Sequence, residues 1–368
     1  MVLMERALSW AEHGTGRDIR DPGECKITII GIGGCGNNTV NRIMGLGVDY
    51  LECVAVNTDI QHLNVVNADK KILIGGDVTH GLSAGKNPST GKRAIRDDLK
   101  EIERLLVDRD IVFISAGLGG GTGTGAAPVV AKLAREHGSI VVGVVTMPFH
   151  HEKARYGKAL RGLNEMRRHA HTVIIIDNNR LVEIGRDMSV ESAFGVTDNI
   201  LGNTVKGIVE TITMPSLINI DFADLRTLMN QGDVAIIGRG RSSGAYRGTE
   251  AARKALDHML LDVDYNGANG ALIHVTGGED ATLGEVVKTA EEVSSYLDEE
   301  SVVIWGSRVD PSLGDEMEVT VLLTGIRSPH IVGCYEMKDI KLYNMEPYAG
   351  PDTQIDLDMD LYDMEWDV

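Results

Sequence analysis

Residues 119–125, which read GGGTGTG, have the composition and position of a phosphate-binding segment. They follow an apolar run at 111–114 and precede a helix-like segment at 126–136. Five glycines in seven residues cost conformational entropy, but they let a large ligand approach free backbone N–H groups. Between a strand and a helix N-terminus, such groups bind anions, whereas the alternative is a flexible surface loop. The residues predicted to hold phosphate are Gly119, Gly120, Gly121, Thr122, Gly123 and Thr124.

A second glycine-rich segment, GIGGCG at 31–36, lies between a strand candidate at 27–30 and a helix-like segment at 37–44. It satisfies the G-x-G-x-x-G pattern of dinucleotide-binding domains. Asp59 follows the next strand candidate, 23 residues after Gly36, near the spacing of a ribose-binding acid. Alone, this pattern indicates an NAD-dependent oxidoreductase. However, the chain has two phosphate-binding segments in one α/β unit. This favours a different interpretation, in which the two segments hold one nucleotide from both sides of its phosphate chain. A P-loop is excluded, because Asn87 follows Gly85-Lys86 where Ser or Thr is required.

The elements that must position these segments alternate between strand and helix from Cys25 to Asp177. The strand candidates are 27–30, 51–56, 71–74, 111–115, 140–146 and 172–177. This alternation predicts a parallel, doubly wound sheet whose ligands lie at the carboxyl ends of the strands. Residues 189–213 have the periodicity of a long amphipathic helix that bridges two domains. A second α/β unit follows, with strands at 234–237, 270–275, 302–305 and 318–323 and helices near 248–261 and 282–297.

Composition limits the classes of partner. The 368 residues are 43% hydrophobic, which suits one large or two moderate globular domains. A net charge of −18 argues against nucleic acid and against direct binding to an anionic membrane. The four cysteines show no C-x-x-C pair, as expected in a reducing cytosol. Because no apolar run of membrane-spanning length or signal-peptide core is present, we expect a cytoplasmic protein without membrane insertion.

Seven motifs in order resemble those of one family. They are GIGGCGNN at 31–38, AVNTD at 55–59, GLSAGKNP at 81–88, GGGTGTGAAP at 119–128, TMPFHHEKAR at 146–155, AFGVTDN at 193–199 and NIDFADL at 219–225. Together they resemble FtsZ, the prokaryotic tubulin homologue, a GTPase that polymerises at the cell-division site. The resemblance covers roughly residues 25–326, and GALIHVTGGED at 270–280 is similar to archaeal members.

The resemblance implies an α/β fold of two domains. A Rossmann-like, parallel-sheet GTPase domain at 25–188 would be joined by a central helix at 189–213 to a smaller α/β domain at 214–326. Residues 1–24 would form an N-terminal extension and residues 327–368 a C-terminal tail. GTP or GDP would be the bound nucleotide, with Mg²⁺ held through its phosphates and not by a metal site of the chain.

The resemblance also assigns the nucleotide contacts. Besides the residues of GGGTGTG, they are Gly33, Gly34, Cys35, Gly36, Asn37, Asn38, Asn57, Asp59 and Gly85. Glu152 and Arg155 match the pair that holds the ribose, although one residue is deleted between them relative to the family pattern. Phe194 would stack on the base, with a core position as the alternative. Asp198, one turn later, would accept the N1–H and amine hydrogens of guanine.

The segment NIDFAD at 219–224 has two interpretations. Asp221 and Asp224 can cap a helix and interact with its dipole. The resemblance implies that this loop, with Asn219, also enters the nucleotide site of the next subunit, where its carboxylates position the attacking water. Helix capping and water positioning are compatible, because a capped helix is a rigid support for the carboxylate. A nucleotide-binding scaffold without hydrolysis would not need these acids.

The end of the chain is strongly acidic. Residues 352–368 contain seven acidic residues and no Lys or Arg, interleaved with Leu361, Tyr362 and Trp366. A solvated tail is one interpretation. The other is a recognition peptide that binds a partner through its apolar residues. The resemblance implies head-to-tail homopolymers, tethered to the membrane at the mid-cell division site by an adaptor that binds this tail.

Overall fold

A computed structural model describes residues 25–179, 234–257 and 268–326, with 195, 201, 202, 205–210, 212, 213 and 222–231 between them. Ten strands form one sheet of order β3-β2-β1-β4-β5-β6-β7-β10-β8-β9. The strands are β1 (Ile27–Ile32), β2 (Leu51–Asn57), β3 (Lys70–Leu73), β4 (Ile111–Gly117), β5 (Ile140–Met147), β6 (Thr172–Asp177), β7 (Val234–Ser243), β8 (Gly270–Gly277), β9 (Val302–Val309) and β10 (Glu316–Thr324).

Helices connect most of the strands. They are α1 (Gly33–Leu46), α2 (Ile60–Val65), α3 (Gly76–Thr79), α4 (Pro88–Asp97), α5 (Leu99–Leu106), α6 (Thr122–Glu136), α7 (Lys153–His169), α8 (Phe222–Gln231), α9 (Arg247–Asp257) and α10 (Leu283–Ser294). The described residues between 195 and 213 are also helical, within the predicted central helix. None of the helices in the described ranges has the length and apolar character needed to cross a membrane.

Strands β1 to β6 form the predicted parallel, doubly wound sheet. β1 lies between β2 and β4, with Ile27 opposite both Leu51 and Ile111. All six residues of β1 are buried, as expected for a strand covered by helices on both faces. Chain order reverses between β1 and β4, and such a switch point leaves a crevice at the carboxyl ends of the strands.

The second unit continues the same sheet. β7 pairs in parallel with β6 through Val173 and Val234. β10 is antiparallel to both β7 and β8, and β9 completes the sheet in parallel with β8. The four predicted strands of this unit are confirmed, although each is longer than its apolar run. The predicted domain boundaries stay predictions, because most of residues 180–233 lie outside the described ranges.

Apolar layers cover both faces of the sheet. Helices α4 to α7, α9 and α10 pack on one face, for example through Ala94, Val130 and Leu163. Helix α1, the helical residues 201, 205, 208 and 209, and α8 pack on the other, for example through Ile43 and Leu228. The sheet is therefore held between two helical layers, and its strand ends are left to form sites.

Two helices begin earlier than the sequence predicts. We expected helices at 37–44 and 126–136, but α1 begins at Gly33 and α6 at Thr122. Glycine is a weak helix former, so its low propensity suggested loops. Packing overrides that propensity: a Cβ on Gly36 would lie 2.1 Å from the Ser115 carbonyl oxygen of β4. Only glycine permits this contact, so part of each predicted glycine loop is the first turn of a helix.

This packing predicts opposite effects for two alanine substitutions in α1. Gly36→Ala should lower the free energy of unfolding by about 2 kcal/mol, because the Cβ has no room against Ser115. Gly45→Ala should raise it by up to about 1 kcal/mol, because Gly45 is exposed and nothing lies within 4 Å of its added Cβ. Urea unfolding measures both. Equal stabilities for the two variants would contradict the tight contact.

Candidate functional site

The carboxyl ends of β1, β2, β4 and β5 meet at one edge of the sheet, as the sequence predicts. Helices α1 and α6 begin side by side there: a Cβ on Gly33 would lie 3.1 Å from the backbone nitrogen of Gly123. The end of β2 joins them through a 2.9 Å hydrogen bond between the hydroxyls of Thr58 and Thr122. The two glycine-rich segments therefore form one surface.

The N-termini of α1 and α6 are not capped by a side chain, and neither has an acidic residue in its first turn. Elsewhere in the described chain, Asp59, Asn87 and Thr282 cap α2, α4 and α10 through side-chain oxygens. Uncapped N–H groups carry the positive end of the helix dipole. Two such termini side by side suit a multiply charged anion.

The glycines of this edge serve two purposes. Gly121 and Gly123 allow close packing, because a Cβ there would lie 2.8 Å from Ala84 Cβ and 2.7 Å from the Gly117 oxygen. In contrast, no described residue lies within 4 Å of a Cβ on Gly34 or Gly85, and for Gly120 the nearest described atom is 3.9 Å away. These three positions border open space that a ligand can occupy.

Asn37 supports the edge from below and does not face the open space. Its side chain is fully buried. With its amide oriented to satisfy its neighbours, its nitrogen donates to the oxygens of Gly31 at 2.7 Å and Val56 at 3.2 Å, and its oxygen accepts from Asn57 Nδ2 at 3.1 Å. Asn37 was predicted to contact the nucleotide, and its side chain is occupied within the protein, so such a contact would have to come from its backbone. Asn38, the next residue, is exposed at the edge.

Asn57 and Asp59 shape the end of β2. Asn57 Oδ1 accepts from the backbone N–H of Thr58 at 2.9 Å. Asp59 Oδ1 accepts from the N–H groups of Gln61 at 3.0 Å and His62 at 3.2 Å, which caps α2. Sequence spacing suggested a ligand-binding acid at 59 and missed this capping role, which an Asp before a short helix could have indicated. The other carboxylate oxygen of Asp59 makes no hydrogen bond with a described residue.

Glu152 and Arg155 lie together at the start of α7, beside the glycine-rich edge. Arg155 Nη1 donates to Glu152 Oε2 at 2.8 Å, and Phe149 N donates to Glu152 Oε1 at 3.3 Å. Burial raises the pKa of Glu152, but the hydrogen bond and charge of Arg155, the hydrogen bond from Phe149 N and the charge of His151 together lower it below its usual range. A Cβ on Gly119 would lie 2.6 Å from Arg155 Cγ. The structure therefore brings together the predicted pair despite the apparent deletion.

Three supporting contacts were not predicted from the sequence. The Cys35 sulfur lies 3.2 Å from the hydroxyl of Thr146, which links α1 to β5. Gly119 N donates to Thr124 Oγ1 at 2.8 Å, so this threonine fixes the turn into α6. Lys158 Nζ donates to the Lys86 oxygen at 2.9 Å, which ties the segment of Gly85 to α7. No periodicity in the sequence indicates such contacts between distant segments.

Asp224 lies at the other end of the strands, near their amino ends and away from the glycine-rich edge. It is exposed in the first turn of α8, and α8 packs at the amino ends of β5 and β6. Arg226 Nη2 donates to the Gly138 oxygen at 3.2 Å, and Thr172 Oγ1 donates to the Met229 oxygen at 2.8 Å. An eight-residue strand such as β5 is about 25 Å long. One chain therefore does not bring Asp224 to the glycine-rich edge.

Four predicted site residues lie outside the described residues: Phe194, Asp198, Asn219 and Asp221. No group of three or more His, Cys, Asp or Glu side chains in the described ranges is arranged to hold a metal ion. The chemistry that the described edge offers is thus backbone N–H groups, threonine hydroxyls and one carboxylate–guanidinium pair.

Comparison with known proteins gives matches over both units. The model of the Tubulin/FtsZ family, GTPase domain, matches residues 26–186, and the model of the FtsZ family, C-terminal domain, matches residues 233–327. Cell division protein FtsZ 2 of Methanocaldococcus jannaschii is 49% identical over 337 residues, which are 90% of this chain and 88% of the relative. Cell division protein FtsZ 2 of Halobacterium salinarum is 48% identical, over 84% of this chain and 79% of the relative.

Solved structures agree. An FtsZ dimer from M. jannaschii superimposes with a TM-score of 0.79 at 44% identity, over 88% of this chain and 92% of that one. CetZ2 from Haloferax volcanii, at 22% identity with a TM-score of 0.73 over 82% and 93% of the two chains, shares the fold. Since both family models and these relatives cover most of the sequence, the chain belongs to the FtsZ family of tubulin-like GTPases.

Proposed function

We propose that this chain assembles head to tail into filaments and hydrolyses GTP only where two subunits meet. The observation that carries the proposal is the position of Asp224, exposed at the edge of the sheet opposite the glycine-rich segments. In a head-to-tail array, the α8 edge of one subunit faces the glycine-rich edge of the next. The M. jannaschii relative that was solved as a dimer also supports self-association.

The phosphate chain of GTP would lie over the adjoining first turns of α1 and α6. The N–H groups there are uncapped, and Gly34 and Gly120 leave room above them. Glu152 and Arg155 would bind the ribose, since they lie beside Gly119. Phe194 and Asp198 would bind the guanine, an assignment that rests on the match to the family motif.

Mg²⁺ fits this site as an ion bound through the nucleotide. The first turns of α1 and α6 offer N–H donors and no carboxylate, which suits phosphate oxygens and not a cation. When bound, the ion would neutralise charge on the β- and γ-phosphates. The N–H groups of α1 and α6 orient the same phosphates, and the threonine hydroxyls hold the turns that present them.

Hydrolysis would depend on orientation of water by acids from the neighbouring subunit. Asp224, with Asp221 and Asn219, would position the attacking water and stabilise the developing charge. Helix α8 is a rigid support for this purpose, because Arg226 and Met229 bind it to the amino ends of β5 and β6. The alternative of an NAD-dependent oxidoreductase explains only the G-x-G-x-x-G segment, and in a scaffold without hydrolysis Asp224 would serve only the helix dipole.

A valine at position 34 should block nucleotide binding without harming the fold. Gly34 is exposed, and no described residue lies within 4 Å of an added Cβ, so the side chain of Gly34→Val should collide chiefly with a ligand. We expect at least a tenfold loss of GTP affinity, about 1.4 kcal/mol, in a titration that also includes ATP and NADH. The parent protein should prefer GTP to both.

Gly45→Val is the matched control, since Gly45 lies in the same helix with equally open surroundings. It should bind GTP like the parent. Equal GTP affinity for Gly34→Val and Gly45→Val would place the phosphates elsewhere, and tight NADH binding without GTP binding would support the oxidoreductase.

The shared site predicts complementation between two inactive variants. Asp224→Ala should bind GTP but hydrolyse it about 10²-fold more slowly, a loss of some 3 kcal/mol of transition-state stabilisation. Gly34→Val keeps Asp224 but should bind GTP at least tenfold more weakly, so it is used at a GTP concentration that leaves its own site mostly empty. A mixture of the two should recover part of the phosphate release, because one subunit supplies the acid and its neighbour the nucleotide.

A second check uses parent protein diluted below the concentration at which it assembles. Added Gly34→Val should raise its activity, because specific activity should rise steeply with the total concentration of subunits. An activity per molecule that is constant from nanomolar to micromolar protein, with no recovery in the mixture, would contradict a site shared between subunits.

We further propose that the filaments form in the cytoplasm at the division site and that the tail, residues 352–368, binds a membrane-tethering adaptor. Deletion of these residues should leave GTP hydrolysis and filament formation nearly unchanged, because the residues assigned to both lie before 327. The same deletion should abolish filament recruitment to adaptor-bearing vesicles, observed by sedimentation. Loss of assembly in the truncated chain would show instead that the tail is part of the polymerising unit.

A further inference from the structure

The last strand of the sheet, β9, has an open edge. The N–H groups of Val302 and Asp310 donate to the oxygens of Asn269 at 3.0 Å and Gly277 at 2.8 Å, on the side of β8. Because successive residues of a strand direct their backbone groups to opposite sides, Val303 and Trp305 direct theirs away from β8. No strand among the described residues pairs with that side.

A groove of about 270 Å³ lies between this open edge and α10. Its lining residues are Val287, Ala290, Glu291, Ser294, Val303 and Trp305. Val303 and Trp305 are only half-buried and pack at the margin of the core. A strand added to β9 would place every second side chain in this groove, as in known modes of peptide recognition by sheet edges.

The two outermost strands of the sheet, β3 and β9, differ in how well they are protected against pairing with another chain. β3, at the far edge, has four residues, and its Lys70 and Lys71 are exposed. Short edge strands with lysines discourage pairing with other chains. β9 has eight residues and begins with three β-branched residues and Trp305, a sequence that favours an added strand.

The acidic residues around the groove favour an added strand that carries positive charge. Glu291 in the groove is exposed, as are Asp298, Glu299 and Glu300 just before β9. None of these four acids forms an ion pair with a cation in the described ranges, and Lys288 is the single basic residue of α10. The surface therefore attracts cations. It repels the acidic tail at 352–368, and it repels the same surface of a second copy.

We propose that the open edge of β9 and the adjacent groove bind an extended segment of a partner protein in which basic and apolar residues alternate. The segment adds an eleventh strand to the sheet. Its apolar side chains contact Val303 and Trp305 in the groove, and its basic side chains, on the opposite face of the added strand, lie beside the start of β9 near the acids at 298–300.

The test uses two peptides as probes with the full chain in GDP. One has the sequence KVKVKIKV and the other EVEVEIEV, so both have the same apolar pattern and opposite charge. Calorimetry at about 0.15 M salt, where long-range attraction is screened, should show at least tenfold tighter binding of the basic peptide. Equal affinity for the two peptides would overturn the proposal.

Two variants locate the binding. Val303→Pro removes an outward N–H and leaves pairing with β8 intact, because edge strands accept proline at such positions. It should weaken the basic peptide at least tenfold while GTP hydrolysis is unchanged. Glu299→Lys with Glu300→Lys should reverse the preference toward the acidic peptide. The matched control, Asp97→Lys with Glu101→Lys in exposed positions of α4 and α5, changes net charge equally and should not affect the preference.

Three results would contradict the assignment. Unchanged binding to Val303→Pro would place the peptide elsewhere. Binding only after deletion of residues 327–368 would show that the chain's own tail occupies the groove. Concentration-dependent dimers in GDP that Val303→Pro abolishes would assign the edge to a second copy.

Discussion

The close contact between the first turn of α1 and β4 is the constraint on which the site depends. Gly36 lies against the Ser115 carbonyl at the point where strand order reverses. This contact lets α1 begin directly at the end of β1 and brings its N-terminus against that of α6, where Gly33 meets Gly123. The N–H groups of two helices are thereby presented at one place, and a side chain at either glycine would separate them.

The sequence predicted the strands and their common edge well, because buried parallel strands are continuous apolar runs and their carboxyl ends must coincide. It predicted helix starts poorly, since glycine at 33–36 and 121–125 has low helix propensity and only tertiary packing places it in helices. It also could not distinguish Asn37, which is buried beneath the site, from its exposed neighbour Asn38. Adjacent residues of a helix face different surroundings, and that difference appears only after the elements pack.

The position of Asp224 was equally hidden from local pattern. A helix N-terminus with an acid looks the same at either edge of a sheet, and only the path of the chain decides which edge it occupies. Here β7 pairs in parallel with β6, so the end of α8, which precedes β7, lies near the start of both strands, and the hydrogen bond of Arg226 to the Gly138 oxygen holds its first turn at the same end. The acid is therefore separated from the glycine-rich edge, and a reaction that needs both would require a second subunit.

The same geometry separates assembly from other interactions. The proposed head-to-tail contacts would use the ends of the strands, whereas the two lateral edges of the sheet, β3 and β9, would remain outside them. Lysines at β3 discourage pairing, but β9 has the half-buried Val303 and Trp305 beside a groove and acids that form no ion pair within the described ranges. The strand ends face along the strand axis, whereas the open side of β9 faces perpendicular to it. A segment bound at β9 would therefore remain on the side of a filament without blocking its growth. A partner of this kind can report or modify the polymer at every subunit, which a partner bound at the strand ends cannot do.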